Sequence, residues 1–441
     1  MKMLIRFKVA NFLSFDTEQS FSMICGSSEI HPSHIAKFDH FGLLRATAIY
    51  GANASGKSNF IKAISSMRQF VVFNDPIVSD RYFRPNPENR DKPSLFEVEF
   101  ESNGRLYSYG FEYMISKQEV VDEWLHEMFP DRDSKVIFER TGDSIIHPFT
   151  GQDKDRMDIY AEDMAGNPRR LFLNVMGTRT RSKDVELRVF SEVRDWFEKK
   201  LLILDTTVPF LPDHRLDDEF FKRLNRLMAS FGTGINEMGY ERKKGMEEVL
   251  PQEISDRMKK MLSSESSASS VRLPRSYLSF SDYRVSLADD GSLIFDEVVF
   301  RHNNSRVTFH AEDESDGTKK LYNILANLFT DEKDITFLMD DLDSRLHPGL
   351  TYRLVKMFLG SDETREKQLI FTTHESSLMD FGLLRRDEIW FSEKDTEGAS
   401  RLYSLEDFNE RCDRRIEKAY REGRYGGIPV FSSVFPYEDE R

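Results

Sequence analysis

Cysteine is almost absent from this chain: Cys25 and Cys412 lie far apart among 441 residues and form no CxxC pair. That excludes a disulfide framework and a zinc knuckle, and it suits a reducing cytoplasm. Long apolar runs are missing too, and nothing approaches the roughly 18 residues that a membrane span needs. The opening "MKMLIRFKVANFLSF" alternates apolar Met3, Ile5, Phe7 and Val9 with polar neighbours, which suits a half-buried strand and not an export signal. A cytoplasmic protein with no membrane partner is expected. Net positive charge is lacking as well: the balance is −14, which disfavours surface-wide binding to nucleic acid or anionic lipid. Two local basic stretches, "RRLFLNVMGTRTRSK" (169–183) and "RCDRRIEKAYREGR" (411–424), leave nucleic acid open as a partner, although a solvated helix face is the plainer reading of each. No heptad pattern persists for three or four repeats, so a long coiled coil is excluded. His31, His34 and His40, with Cys25 nearby, match no standard metal spacing and read as loop histidines. The 36 phenylalanines at helical or alternating spacing read as core and not as base-stacking platforms.

What is present is a phosphate-binding loop. In "RATAIYGANASGKSNFIKAISSM", Gly51, Gly56, Lys57 and Ser58 fill G-x-x-x-x-G-K-[ST]. Ala46 to Tyr50 reads as a buried strand before it, and Phe60, Ile61, Ile64 and Met67 recur at helical spacing after it. Such a loop curls backbone N–H groups around phosphate oxygens at a helix N-terminus, so Asn53, Ala54, Ser55, Gly56, Lys57, Ser58 and Asn59 are the candidate nucleotide contacts. Lys57 would reach the β- and γ-phosphates, and the Ser58 hydroxyl would take Mg²⁺. ATP is preferred over GTP because no Asn-Lys-x-Asp sequence for reading guanine is present.

A phosphate loop needs a carboxylate at the end of a neighbouring strand to complete its metal site. "ITFLMDDLDSRLHP" supplies it: Ile335, Phe337, Leu338 and Met339 make the strand, Asp340 would hold Mg²⁺ through water, and Asp341 would orient or deprotonate the attacking water. A second apolar strand in "KQLIFTTHESS" ends at His374, a candidate γ-phosphate contact. Between loop and tip, "ESDGTKKLYNILANLF" places Ser315, Asp316, Gly317 and Thr318 before a helix whose Leu321, Ile324, Leu325 and Leu328 share one face. Asp341 and Asp343 also spell a D-x-D pair of the kind that Toprim nucleases use; the nucleotide-site reading is preferred because the strand and the histidine already fit it.

The order of these motifs resembles the ATP-binding-cassette class in its SMC, Rad50 and RecF-like branch. The resemblance assigns Walker A to Gly51–Ser58, the signature to Ser315–Thr318, Walker B to Phe337–Asp341, the D-loop to Leu342–Ser344 and the switch histidine to His374. It implies a homodimer or larger even-numbered assembly, in which ATP is held head-to-tail and Ser315 and Gly317 act on the partner's γ-phosphate. A closer similarity is to bacterial ATPases of the AbiLii and RloA type, relatives of the overcoming-lysogenization-defect proteins. It is carried by "KVANFLSF", "YGANASGKSNFIKAI", "DDLDSRLHP" and the tail from "DEIWFSEKD" through "LYSLEDFN" to "GRYGGIP". Two departures stand out: the signature reads Glu-Ser-Asp-Gly-Thr where cassettes read Leu-Ser-Gly-Gly-Gln, and Asp341 stands where a glutamate is usual. A carboxylate short by one methylene implies slow turnover, since misplacement of about 1 Å is costly in catalysis.

The expected architecture is therefore α/β, a P-loop NTPase of ABC-ATPase type with an antiparallel β lobe and a helical insertion. Phe96, Val98 and Phe100 alternate before a hairpin turn at Asn103-Gly104, which marks the β lobe. Residues 1–120 are read as the N-terminal part of the ATPase core, 121–271 as a mainly helical insertion closed by a flexible linker at Ser263–Ser270, and 272–441 as the C-terminal part ending in a hairpin around Glu397-Gly398. The functional expectation is a slow ATP hydrolase in anti-phage defence, a conformational switch that regulates an effector nuclease or toxin encoded nearby. A RecF- or Rad50-like DNA-repair ATPase is the first alternative, and a transporter's nucleotide-binding subunit is the second.

Overall fold

The computed structural model describes residues 2–38, 40–180, 186–204, 218–263, 271–273, 283–303, 306–408 and 416–428. The linker expected at Ser263–Ser270 falls, apart from its first residue, outside them, as do Cys412, Arg181 and Lys183. The chain forms two compact units, the first made of Met1–Ile203, Lys333–Leu342 and Arg365–Arg441, the second of Leu204–Glu332 and Asp343–Thr364.

At the centre of the first unit is a six-stranded sheet. Its strands are β1 (Ala46–Tyr50), β2 (Leu201–Leu204), β3 (Ile335–Met339), β4 (Lys367–Thr372), β5 (Ile389–Lys394) and β6 (Ser400–Ser404), in the order β2-β3-β4-β1-β5-β6. β3, β4, β1 and β5 run parallel, and β6 returns antiparallel beside β5. Every residue of β1, β3 and β4 is buried, as expected of parallel strands covered on both faces. Gly398, at φ 84°, sits in the hairpin between β5 and β6, where the sequence places it.

A second, antiparallel sheet of seven strands runs in the order Ser144–Ile146, Lys135–Thr141, Glu119–Met128, Arg105–Met114, Ser94–Ser102, Leu4–Ala10, Gln19–Ser22. Its tight hairpin turns on Asn103 and Gly104, both with positive φ, as a two-residue loop of twisted strands requires. Alternation sorts its faces: Phe96, Val98 and Phe100 are buried, while Glu97 and Glu99 pair across the strands with Lys8 and Arg6 at 2.8 and 2.9 Å. Helix α1 (Lys57–Phe73) packs on this sheet through Phe60 against Phe7 and Phe21, and through Phe70 against Phe111 and Tyr113.

The stretch 121–271 carries more helix than strand among the described residues, and it also contains strands. It holds helices at Gly151–Met164, Phe172–Arg179 (α2), Arg188–Asp195, Asp218–Ser230 and Gln252–Ser263, but also the strands Lys135–Thr141, Ser144–Ile146, β2, Ile235–Lys243 and Val271–Leu273. The 120/121 division falls inside the strand Glu119–Met128, so the antiparallel lobe runs on past it. The second unit carries its own antiparallel sheet, ordered Ile235–Lys243, Leu293–His302, Tyr283–Leu287, Val271–Leu273, and helices α3 (Asp316–Leu328) and Pro348–Gly360.

Candidate functional site

The loop from Gly51 to Gly56 leaves the C-terminal end of β1 and opens α1. Gly56 is the N-cap at φ 113°, and a Cβ there would lie 2.3 Å from Ser400 Oγ, so both backbone angle and space require glycine. As a glycine it offers no side-chain cap, and the first-turn amides of α1 stay available to an anion. Lys57 is buried and donates from Nζ to the carbonyls of Gly51 and Ala52 at 2.9 and 3.0 Å, which holds the loop curled. Asn53 and Ala54 are exposed at its tip, with Ala54 in the left-handed region at φ 62°.

Three serines that motif reading passed over brace this loop. Ser392 of β5 and Ser400 of β6 both donate to the Ser55 carbonyl, at 2.9 and 2.7 Å. Ser14, from the N-terminal "NFLSF", accepts from Asn59 Nδ2 at 2.8 Å, and its carbonyl accepts the Ser400 N–H at 2.7 Å. In the tail, Gly427 lies against Gly51, and its carbonyl accepts from the Tyr420 hydroxyl at 3.0 Å. Ser14 of "KVANFLSF" and Gly427 of the tail thus both reach the phosphate loop and its flanks.

β4 lies between β1 and β3, and the tips of β3 and β4 are tied together. Asp340 and Asp341 follow β3; Thr373 and His374 follow Thr372 at the end of β4. The Leu342 N–H donates to the Thr372 carbonyl at 3.0 Å. His374 Nε2 lies 3.9 Å from Asp341 Oδ1, with both side chains under half exposed at 42% and 45%. Asp341 itself is in the left-handed region at φ 47°. The possible metal ligands, the Ser58 hydroxyl and the Asp340 carboxylate, are both hard oxygen donors, the set that Mg²⁺ takes.

Ser315 and Gly317 stand in the second unit. Ser315 caps α3, accepting the Thr318 N–H at 3.2 Å. Asp316 pairs with Arg345 at 2.9 Å, and buried Lys320 donates to Ser344 Oγ at 2.6 Å, so the helix start and the Asp343–Arg345 turn form one packed element. A Cβ on Gly317 would come 2.6 Å from the Arg345 carbonyl oxygen. Gly317→Ala is therefore expected to destabilise the fold by about 1–3 kcal/mol, the usual cost of overpacking. Thermal unfolding measures it, and an unchanged midpoint would show that the turn can move aside.

The histidines near the N-terminus have other partners: the rings of His31 and His34 stack at 4.7 Å, and His34 Nδ1 sits 3.1 Å from buried Glu388. Among the described residues, no group of three or more His, Cys, Asp or Glu is placed to hold a metal ion, and no helix is long and apolar enough to cross a membrane.

A largely parallel sheet, a glycine loop opening a helix, and paired carboxylates on a nearby strand tip define a mixed α/β nucleotide-binding fold of the P-loop class. Residues 46–380 match the family model described as "AAA domain, putative AbiEii toxin, Type IV TA system", and the chain belongs to this family of AAA-type ATPases of abortive-infection type. The match starts at the first residue of β1 and ends just beyond His374, so it contains every candidate site residue and leaves "KVANFLSF" and the tail outside. No curated protein matches the chain.

Proposed function

We propose that this chain is an ATP hydrolase of the ABC/SMC-like kind, in which ATP binding and hydrolysis switch a partner effector, a nuclease or toxin, on and off in defence against phage. The observation that carries the reading is the gathering at neighbouring strand tips of the curled loop 51–56, the Asp340-Asp341 pair and a histidine 3.9 Å from Asp341. Amides of Asn53 to Asn59 and the Lys57 ammonium bind the phosphates, Ser58 and Asp340 hold Mg²⁺, Asp341 positions water, and His374 reads the γ-phosphate. Mg²⁺ supplies charge neutralisation on the phosphates when bound. Ser315 and Gly317 act on the nucleotide of a second copy, which makes the working unit a head-to-tail dimer or a larger even-numbered assembly.

The test is ATP turnover and mass by light scattering, with and without ATP and Mg²⁺. Wild-type protein should hydrolyse ATP slowly and double its mass when ATP is present. Lys57→Ala should weaken ATP binding by about ten- to a hundredfold, the worth of a charge-assisted hydrogen bond. A chain that neither binds nor hydrolyses ATP would overturn the proposal.

A further inference from the structure

We infer that Thr372 is a positioning residue for the metal and water end of the nucleotide site; this rests on the ATPase reading proposed above. The Thr372 hydroxyl lies in a fully buried residue at the end of β4, facing the tip of β3. It donates to Asp340 Oδ1 at 2.6 Å and accepts the Asp341 N–H at 2.7 Å. The next residue's amide, that of Leu342, is held by the Thr372 carbonyl at 3.0 Å. One threonine therefore fixes three consecutive residues of the carboxylate turn.

Each bond has a separate consequence. The short bond to a carboxylate is of the charge-assisted kind; it restrains the rotation of Asp340 and commits Oδ1, so that Oδ2 is the oxygen that would take a metal-bound water. The bond from the Asp341 amide pins a backbone at φ 47°, a conformation that few side-chain-bearing residues adopt without support. It thereby aims the Asp341 carboxylate toward His374. Serine supplies the same hydroxyl; valine supplies the same shape without it.

The experiment compares Thr372→Val and Thr372→Ser by ATP turnover and by fluorescent ATP-analogue binding across a Mg²⁺ titration, with chelator as the metal-free reference. The valine variant should keep its metal-free nucleotide affinity, need about tenfold more Mg²⁺ for the metal-dependent gain in affinity, and lose about a hundredfold in kcat with little change in KM, the scale of a displacement near 1 Å. The serine variant should behave as wild type in all three. Wild-type Mg²⁺ dependence and kcat in the valine variant would overturn the inference, and so would a serine variant as impaired as valine, since the methyl group would then be what matters. If wild-type protein binds no ATP analogue, the ATPase reading fails first and this inference falls with it.

Discussion

Replacing Asp341 with alanine is expected to lower ATP turnover by about a hundredfold to ten-thousandfold, the range for loss of a positioned general base. Nucleotide binding should survive, because the loop runs between β1 and α1 and Lys57 Nζ donates to its Gly51 and Ala52 carbonyls. The variant should therefore stall as an ATP-bound dimer, visible as a doubled mass that persists in ATP. An alanine variant with wild-type turnover would refute the role given to Asp341. The structure adds a reason for aspartate at a position where cassette ATPases usually carry glutamate. At φ 47° the residue is in the left-handed region, where aspartate and asparagine are among the few side-chain-bearing residues enriched. Asp341→Glu thus has two opposed expectations: the longer reach should preserve or raise hydrolysis, while the backbone strain should cost about 1 kcal/mol of stability. Measuring turnover and thermal midpoint on the same protein separates them.

The loop, its flanking strand and helix, the carboxylate strand and the Asn103-Gly104 hairpin are legible because each is a local signal, a spacing or a period read within about 20 residues. The groups that brace the loop are not. Ser14, Ser392 and Ser400 are single small residues with no period, and they converge only because β5 and β6 return beside the loop more than 300 residues after Ser55. Thr372 is invisible for the same reason: its role depends on β4 being the strand between β1 and β3. The strand Glu119–Met128 is masked by its charges, since "EVVDEWLHEM" puts acidic residues on both faces and buries one of them, Glu123. A carboxylate at 0% exposure contradicts the ordinary expectation for glutamate, and only the fold shows what pairs with it.

That glutamate gives the largest stability effect expected in the chain. Glu123 accepts the Phe172 and Leu173 N–H groups at 2.7 and 2.9 Å and the Tyr109 hydroxyl at 3.0 Å, with Arg140 Nη1 at 3.9 Å. The first two are the opening amides of α2, whose own N-cap Leu171 supplies no side-chain cap, so the glutamate caps the helix from a strand. Glu123→Ala would leave the buried Arg140 charge without its carboxylate and two helix amides without acceptors, and is expected to cost about 3–5 kcal/mol in denaturant unfolding. Burial pushes the Glu123 carboxyl above the usual carboxylate range, with Arg140 and the donated hydrogen bonds pulling against it. The folded chain therefore keeps this proton to higher pH than the unfolded chain does. The group's contribution is greatest below its unfolded pKa, falls as pH rises to the folded value and is level above it; Glu123→Gln should remove that slope. The effect should also reach the nucleotide. Asn174 of α2 donates to the Val71 and Val72 carbonyls in the last turn of α1, the helix that begins at Lys57. Releasing α2 frees the far end of the helix whose near end would hold the phosphates, so Glu123→Ala should weaken ATP binding as well as stability. An alanine variant as stable as wild type would show that water or a neighbouring group replaces the carboxylate, and the cap assigned to Glu123 would be wrong.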